Sequence, residues 1–475
     1  MGRHFPQNYT SYTNKSGITS EAQFTIKGSA KETEWLTELI SAQYKITPSA
    51  DDSKWANLKG VMPEGLKDGQ TVWQWILDLA VTNPAAFADI NSKEWQAVAA
   101  ALDLGPAVAS VFQSGGSSRT FPSIGNPVSK QSESVSGYQQ TLRFKVGEEE
   151  KTLTLNVASN TLLASSFNPE LAYEWGIFEG EGGLWLQKLT NAPAITVWGA
   201  GLTQHRHAYN GRNSEYMSED PMLANRIGEA QMRGAVSRGA ICGPKHMGFN
   251  DQERGRQGVA CYMTEQKVRE TDTRCFEGAM RQEEGNGTGV MMSFARIGAT
   301  NTTNSIGYMK NIIRKEWGFT GIITTDMGMG SGYHEVGALT MATVNEYAGF
   351  GNGTEYAMGD NVSDDATFGA KFAYITLGNA KKDPVYAAQA RQTSLYLIFT
   401  IARSGSGINV ERVANNGQDI VVPPYTITRR DPIGTIKVAG WEAGFISAEV
   451  VFGILTLAAA AAYVASVVMS LKEDN

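Results

Sequence analysis

Between Asn168 and Asp326 the chain alternates segments of helical and of strand periodicity, and few folds accept that alternation. Asn168–Leu186 reads as helix, Ala194–Gly199 as a short apolar strand, Glu215–Arg238 as helix and Gly239–Gly243 as strand. Thr264–Arg281, Gly289–Phe294, Asn304–Trp317 and Gly321–Thr325 repeat the rhythm. Each unit takes roughly 30–45 residues, enough for a strand and its crossover helix, so the strands should run parallel. Several such units in succession predict an α/β fold, a (β/α)8 barrel of the TIM type, over residues 106–404. Pro384–Ser404 supplies its last helix.

The rest of the 475 residues is expected to flank that barrel. Residues 1–105 form an N-terminal, partly helical extension, with Lys31–Tyr44 and Gln70–Ala86 at helical spacing. Trp35, Trp55, Trp73, Trp75 and Trp95 could line a sugar platform, but as bulky apolar residues they fit a core better. Gly105 to Gly147 is rich in Ser, Gly and Gln and reads as loops, and Thr152–Val157 as an alternating strand. Residues 405–449 are a polar linker. Val450–Leu471 carries no charge over 22 residues, long enough for a transmembrane helix. Trp441, Phe445 and Lys472 stand as interfacial anchors. That segment predicts a membrane-anchored protein at the cell surface with the barrel outside, although the flanking charges do not set orientation. No apolar leader segment occurs in Met1–Ser20.

A net charge of -7 with 19% charged residues gives no basic face for nucleic acid. The three cysteines, Cys242, Cys261 and Cys275, have no paired spacing, so no disulfide framework is expected.

Chemistry-grade side chains gather at the strand ends. Gln204–Asn213 follows the first of these strands and holds His205, His207 and Arg212. Lys245 and His246, then Asn250-Asp251-Gln252-Glu253, follow the second. Asp326 ends the fourth, before the glycine-rich Gly328–Gly332. A carboxylate at the end of a buried strand is costly unless partnered or used. Helix capping or loop pinning is one explanation for Asp326. Cationic and hydrogen-bonding groups converging on one carboxylate also suit a polyhydroxylated ligand. A metal site from His205 and His207 with Glu215 or Asp220 competes, but no HExxH or clustered Cys/His spacing supports it, and neither metal nor cofactor is expected.

These residues resemble the barrel domain of glycoside hydrolase family 3, the β-glucosidase-like family. The resemblance is carried by Gly211-Arg212-Asn213 through Glu219-Asp220-Pro221, Lys245-His246, Asn250–Glu253, Met263–Gln266, Met292-Ser293-Phe294, Arg314–Gly321 and Thr324-Thr325-Asp326, in matching order and spacing. With the C-terminal apolar segment, it is similar to a rearranged, membrane-anchored bacterial type in which the barrel comes last. The resemblance implies a retaining exo-acting β-glycosidase, with Asp326 as nucleophile and a covalent glycosyl-Asp intermediate. It implies Arg212, Lys245 and His246 on the sugar hydroxyls, with Lys245 and Arg212 favouring the ionised form of Asp326. Phe294 stands where many relatives have Tyr. Two features depart from the family: Pro122–Phe144 holds no Asp of an Asp-Gly-Pro motif, and no α/β sandwich carrying an acid/base Glu is recognisable. The implied partner is therefore a sandwich domain or second chain supplying that acid. The alternative is a catalytically impaired, membrane-anchored sugar-binding protein derived from the family.

Overall fold

The computed structural model describes residues 53–111, 120–127, 130–133, 142–146, 149–153, 157–190, 195–256, 259–281, 287–297, 300–305, 307–327, 345–347, 384–404 and 450–463, with the short pieces 12–13, 19–20 and 381. The expected helix at Lys31–Tyr44, residues 405–449 and the glycine-rich Gly328–Gly332 lie outside them.

Met1–Asp419 makes one compact unit. Its N-terminal part holds, after a single turn at Ser53–Ala56, the helices α1 (Val72–Thr82), α2 (Pro84–Ala88), α3 (Lys93–Ala101) and α4 (Leu104–Val111). Thr71 and Gln74 close a reciprocal capping box on α1. Asn83 caps α2 with Pro84 at its first turn, which divides the helix expected over Gln70–Ala86 in two. α4 occupies part of the stretch expected as loop. A hairpin pairs Leu142–Val146 with Glu149–Leu153, so Thr152 and Leu153 of the expected Thr152–Val157 strand are in its second arm, while residues 154–156 lie outside the described ones.

Parallel strands then enter in chain order: β1 (Lys130–Glu133), β2 (Ile195–Trp198), β3 (Ile241–Cys242), β4 (Gly289–Met291), β5 (Ile322–Met327) and β6 (Asn345–Tyr347). β1 pairs with β2 and β2 with β3; β4 pairs with β5 and β5 with β6, all parallel. A parallel bridge between Met247 and Met292 joins the two sets just beyond β3 and β4. Between them run α5 (Pro169–Thr190), α6 (Pro221–Val236), α7 (Arg274–Met280) and α8 (Gly307–Glu316), and α9 (Pro384–Arg403) follows. Asp220 starts α6 by accepting the amides of Met222 and Leu223, with Pro221 at the first turn. The helix expected over Thr264–Arg281 breaks at Thr271–Thr273, where Asp272 turns to Arg206. α8 is a wide π-helix.

Two large apolar cores result among the described residues. One joins α5–α8 to the strands through Ile227, Met232, Cys242, Phe276, Val290 and Ile323. The other joins α1–α4 to α9 through Ile76, Trp95, Leu102, Leu397 and Phe399, and includes Ile241 and Ile322, the first residues of β3 and β5. The N-terminal helices thus close the end of the strands opposite to Asp326. Trp73 and Trp95 are buried there, and Trp55 and Trp75 pack against the same core. Those four tryptophans are core, not a sugar platform.

Ile420–Asn475 is a second unit. It contains a helix over 450–463. Among the described residues no helix is long and apolar enough to cross a membrane. The transmembrane helix expected over Val450–Leu471 is therefore not supported, nor is the membrane anchoring drawn from it; residues 464–471 lie outside the described ones.

Candidate active site

The side chains at the C-terminal ends of β2–β5 converge. Asp326 is the fifth residue of β5, and its amide donates to Met292 O at 3.1 Å, while Met292 donates to Thr324 O at 2.8 Å. Strand pairing with the continuation of β4 thus fixes the carboxyl, which is 5% exposed. Beyond β3, Lys245 donates its amide to Ala200 O and accepts from Leu202, which stitches it to the end of β2. Gly248 makes the next turn at φ +96, and a Cβ there would lie 2.2 Å from Thr302 Cγ2, so only glycine fits. Phe249 follows at φ 71, a left-handed conformation held by a fully packed loop.

Around Asp326 Oδ2 stand His246 Nε2 at 3.5 Å and Arg256 Nη1 at 3.3 Å. The same Arg256 nitrogen is 3.2 Å from Glu253 Oε2, and its guanidinium lies 4.7 Å over the Phe294 ring. Arg212 grips Glu215 through two nitrogens, at 2.5 and 2.6 Å, and reaches Glu253 at 3.6 Å. Lys245 Nζ is 3.6 Å from Glu215 Oε1. Three cations and three carboxylates therefore share the barrel mouth.

Burial opposes the charge on Arg212, but the hydrogen bonds and charge of Glu215 outweigh it and hold the guanidinium more firmly protonated than usual. His246 behaves oppositely. Burial first, then the charges of Arg212, Lys245 and Arg256, push it well below its ordinary value, so the imidazole is neutral. Its Nδ1 is 3.0 Å from Tyr216 Oη, and burial raises the Tyr216 phenol above its ordinary range and keeps it protonated. Asn250 Nδ2 lies 2.8 Å from both Tyr216 Oη and Glu253 Oε1. Asn250 Oδ1 and Arg256 Nη1 are buried without a hydrogen-bond partner among the described residues.

All five residues expected at the site, Asp326, Arg212, Lys245, His246 and Phe294, lie in or against this cluster. Their pairing differs from expectation in one respect. The guanidinium that closes on Asp326 is Arg256's, whereas Arg212 and Lys245 both hold Glu215. Arg256 went unnoticed in the sequence, although it stands three residues past the singled-out Asn250–Glu253 stretch. Tyr216 and Asn250 were visible there only as parts of motifs. His205 and His207 are used within their own loop: His205 Nε2 faces Tyr216 O at 2.8 Å, and His207 Nδ1 accepts the Tyr209 amide at 3.1 Å.

Residues 150–347 match the family described as Glycosyl hydrolase family 3 N terminal domain. Curated relatives include β-glucosidase A of Butyrivibrio fibrisolvens, 29% identical over 223 residues, 46% of this chain and 24% of that protein. A β-glucosidase of Ruminococcus albus is 32% identical over 221 residues, 46% of this chain and 21% of that protein. The chain thus spans about a quarter or less of the length of these relatives. Among solved structures, β-glucosidase 3B from Thermotoga neapolitana in complex with glycerol aligns with a TM-score of 0.52 at 20% identity, over 68% of this chain and 45% of that one. A β-glucosidase from Paenibacillus barengoltzii aligns at 0.52 and 19% identity, over 78% and 38%. The fold is of the TIM-barrel type.

Proposed function

We propose that this barrel carries the nucleophile half of a retaining, exo-acting β-glycosidase site of the β-glucosidase type. The observation that supports it is a buried carboxylate, Asp326, at the C-terminal end of a parallel strand, faced by an imidazole and a guanidinium. Asp326 attacks the anomeric carbon as the bond to the leaving oxygen breaks, a glycosyl ester forms, and water then releases the sugar with retention. Arg212 and Lys245 grip the hydroxyls, His246 lines the sugar beside Asp326, and Phe294 backs Arg256. The unsatisfied Asn250 Oδ1 and Arg256 Nη1 are further points for hydroxyls to occupy.

Retention needs a second carboxyl about 5 Å from the first. Glu215 and Glu253 each face two cations. Both carboxylates are thus already committed to ion pairs inside the mouth. The acid/base therefore comes from a partner, a sandwich domain or a second chain. The same observation favours a second reading, a catalytically impaired sugar-binding protein.

Wild-type protein and Asp326→Asn are compared on a dinitrophenyl β-glucoside, whose leaving group needs no acid, and with a mechanism-based fluorosugar. The wild type is expected to release dinitrophenolate and take the label on Asp326, and the variant to lose both. Unchanged turnover in Asp326→Asn would overturn the assignment. Absence of label and turnover, with sugar binding kept, would establish the second reading.

A further inference from the structure

The reaction proposed above leaves open which nitrogen of His246 holds its proton, and the groups behind the ring answer that. An ionised carboxylate can only accept, so the approach of Nε2 to Asp326 Oδ2 at 3.5 Å is attractive only if Nε2 carries hydrogen. The neutral ring has one such hydrogen, and the occupant of Nδ1 decides where it sits.

Glu253 sets the direction. Its carboxylate, between Arg212 and Arg256, accepts only. Asn250 must therefore turn its amide nitrogen, not its oxygen, toward Glu253 Oε1 at 2.8 Å. The second hydrogen of that NH2 points to Tyr216 Oη, also at 2.8 Å. The phenol oxygen is thereby an acceptor, and its own hydrogen has Thr203 and His246 Nδ1 (3.0 Å) in reach; Thr203 Oγ1 already accepts the His246 amide at 3.1 Å and donates to His246 O at 2.9 Å, which favours Nδ1. Nδ1 accepts, so Nε2 is the protonated nitrogen. Tyr216 is 0%, Asn250 1% and His246 2% exposed, which leaves little room for water to reverse the order.

We infer that Tyr216 and Asn250 are positioning residues: with Glu253 they form a one-way hydrogen-bond chain that holds His246 as its Nε2–H tautomer and aims that hydrogen at Asp326. The inference deepens the glycosidase reading and rests on it for its catalytic consequence, since an Nε2 hydrogen facing the nucleophile at 3.5 Å favours the carboxylate that attacks. The tautomer itself is independent of any turnover.

The test is nitrogen-15 NMR of histidine-labelled full chain, with the His246 signals assigned by their loss in His246→Gln. The wild type is expected to show a neutral Nε2–H ring at about pH 7, its Nδ1 shielded by an accepted hydrogen bond. In Tyr216→Phe that shielding is lost. In turnover of the dinitrophenyl glucoside, the acidic limb of kcat/KM moves to higher pH and the plateau falls about tenfold, the size of one hydrogen bond. Asn250→Ala moves the same signals in the same direction by less, and it serves where Tyr216→Phe does not fold. A cationic His246, an Nδ1–H tautomer in the wild type, or an Nδ1 signal indifferent to both substitutions in folded protein would overturn the inference. An inactive wild type with the expected tautomer would instead sink the glycosidase reading and leave the chain standing.

Discussion

Arg212 at the mouth of the barrel and Arg391 beneath it are both buried arginines on opposite terms. Arg212 meets carboxylates, and Glu215 strengthens its charge against burial. Arg391 is 0% exposed and, among the described residues, donates hydrogen bonds to backbone carbonyls, those of Leu102, Trp55 and Asn57. Burial there lowers it to about 10, with Asp103 opposing. The mouth gathers charges that compensate one another and remain adjustable by a ligand. The floor uses a single cation as a three-way tie between distant segments, inside a core of Trp95, Ile76 and Phe399. Buried charge therefore stands on two terms in this chain, matched by carboxylates above the strands and by backbone carbonyls below them.

That contrast can be broken at several points. Trp95 packs edge-on against Phe399 at 4.9 Å and donates to Phe87 O, so Trp95→Ala should cost about 3–5 kcal/mol in denaturant unfolding without altering the mouth. Glu215→Gln leaves Arg212 and Lys245 short of their shared anion. It should cost about 3 kcal/mol by the same measurement and weaken sugar binding by calorimetry, an effect that no floor substitution should copy. Arg391→Met keeps the volume but strips three carbonyls of their donor. About 2 kcal/mol is expected, with sugar binding unchanged.

The pH dependence sharpens the comparison further. His246 is neutral when folded, with its value well below 6.5, so below that pH the unfolded chain binds the extra proton. Stability from this group is complete above about pH 6.5 and falls as pH is lowered, by at most about 1.4 kcal/mol per unit. His246→Gln should flatten that acidic limb in urea titrations. Lys310, which donates to Gln389 on α9, is lowered by burial and by Arg314 to about 8. The unfolded chain therefore holds the extra proton between about pH 8 and 10.5, and stability should rise with pH across that window; Lys310→Met should abolish the rise. The smallest effect belongs to Arg269→Ala. That side chain is 38% exposed and paired with exposed Glu316, so less than about 1 kcal/mol is expected.

The parallel succession of strands from Ile195 onward was legible because apolar runs ending in glycine or charge recur at crossover spacing. β1 was not, because Lys130-Gln131-Ser132-Glu133 has no apolar pattern and is held as a strand by its pairing with Ile195–Trp198. Lys245, His246 and Asp326 could be read from their place just after strands. Arg256 could not, because its approach to Asp326 depends on how the Gly248–Gly255 loop doubles back, and no periodicity encodes that. The apolar stretch after Val450 is a different case: hydropathy suggests a bilayer crossing over Val450–Leu471, and no described helix is long and apolar enough to support it, residues 464–471 lying outside the described ones.

The tie made by Arg391 has a consequence for synthesis on the ribosome. Its partners lie 289 to 336 positions earlier in the chain. At roughly 5–20 residues per second, the first helices leave the exit tunnel some tens of seconds before the segment that seals them. Through that interval their apolar faces have no native cover, so the nascent N-terminal portion is where chaperone capture or premature aggregation should concentrate.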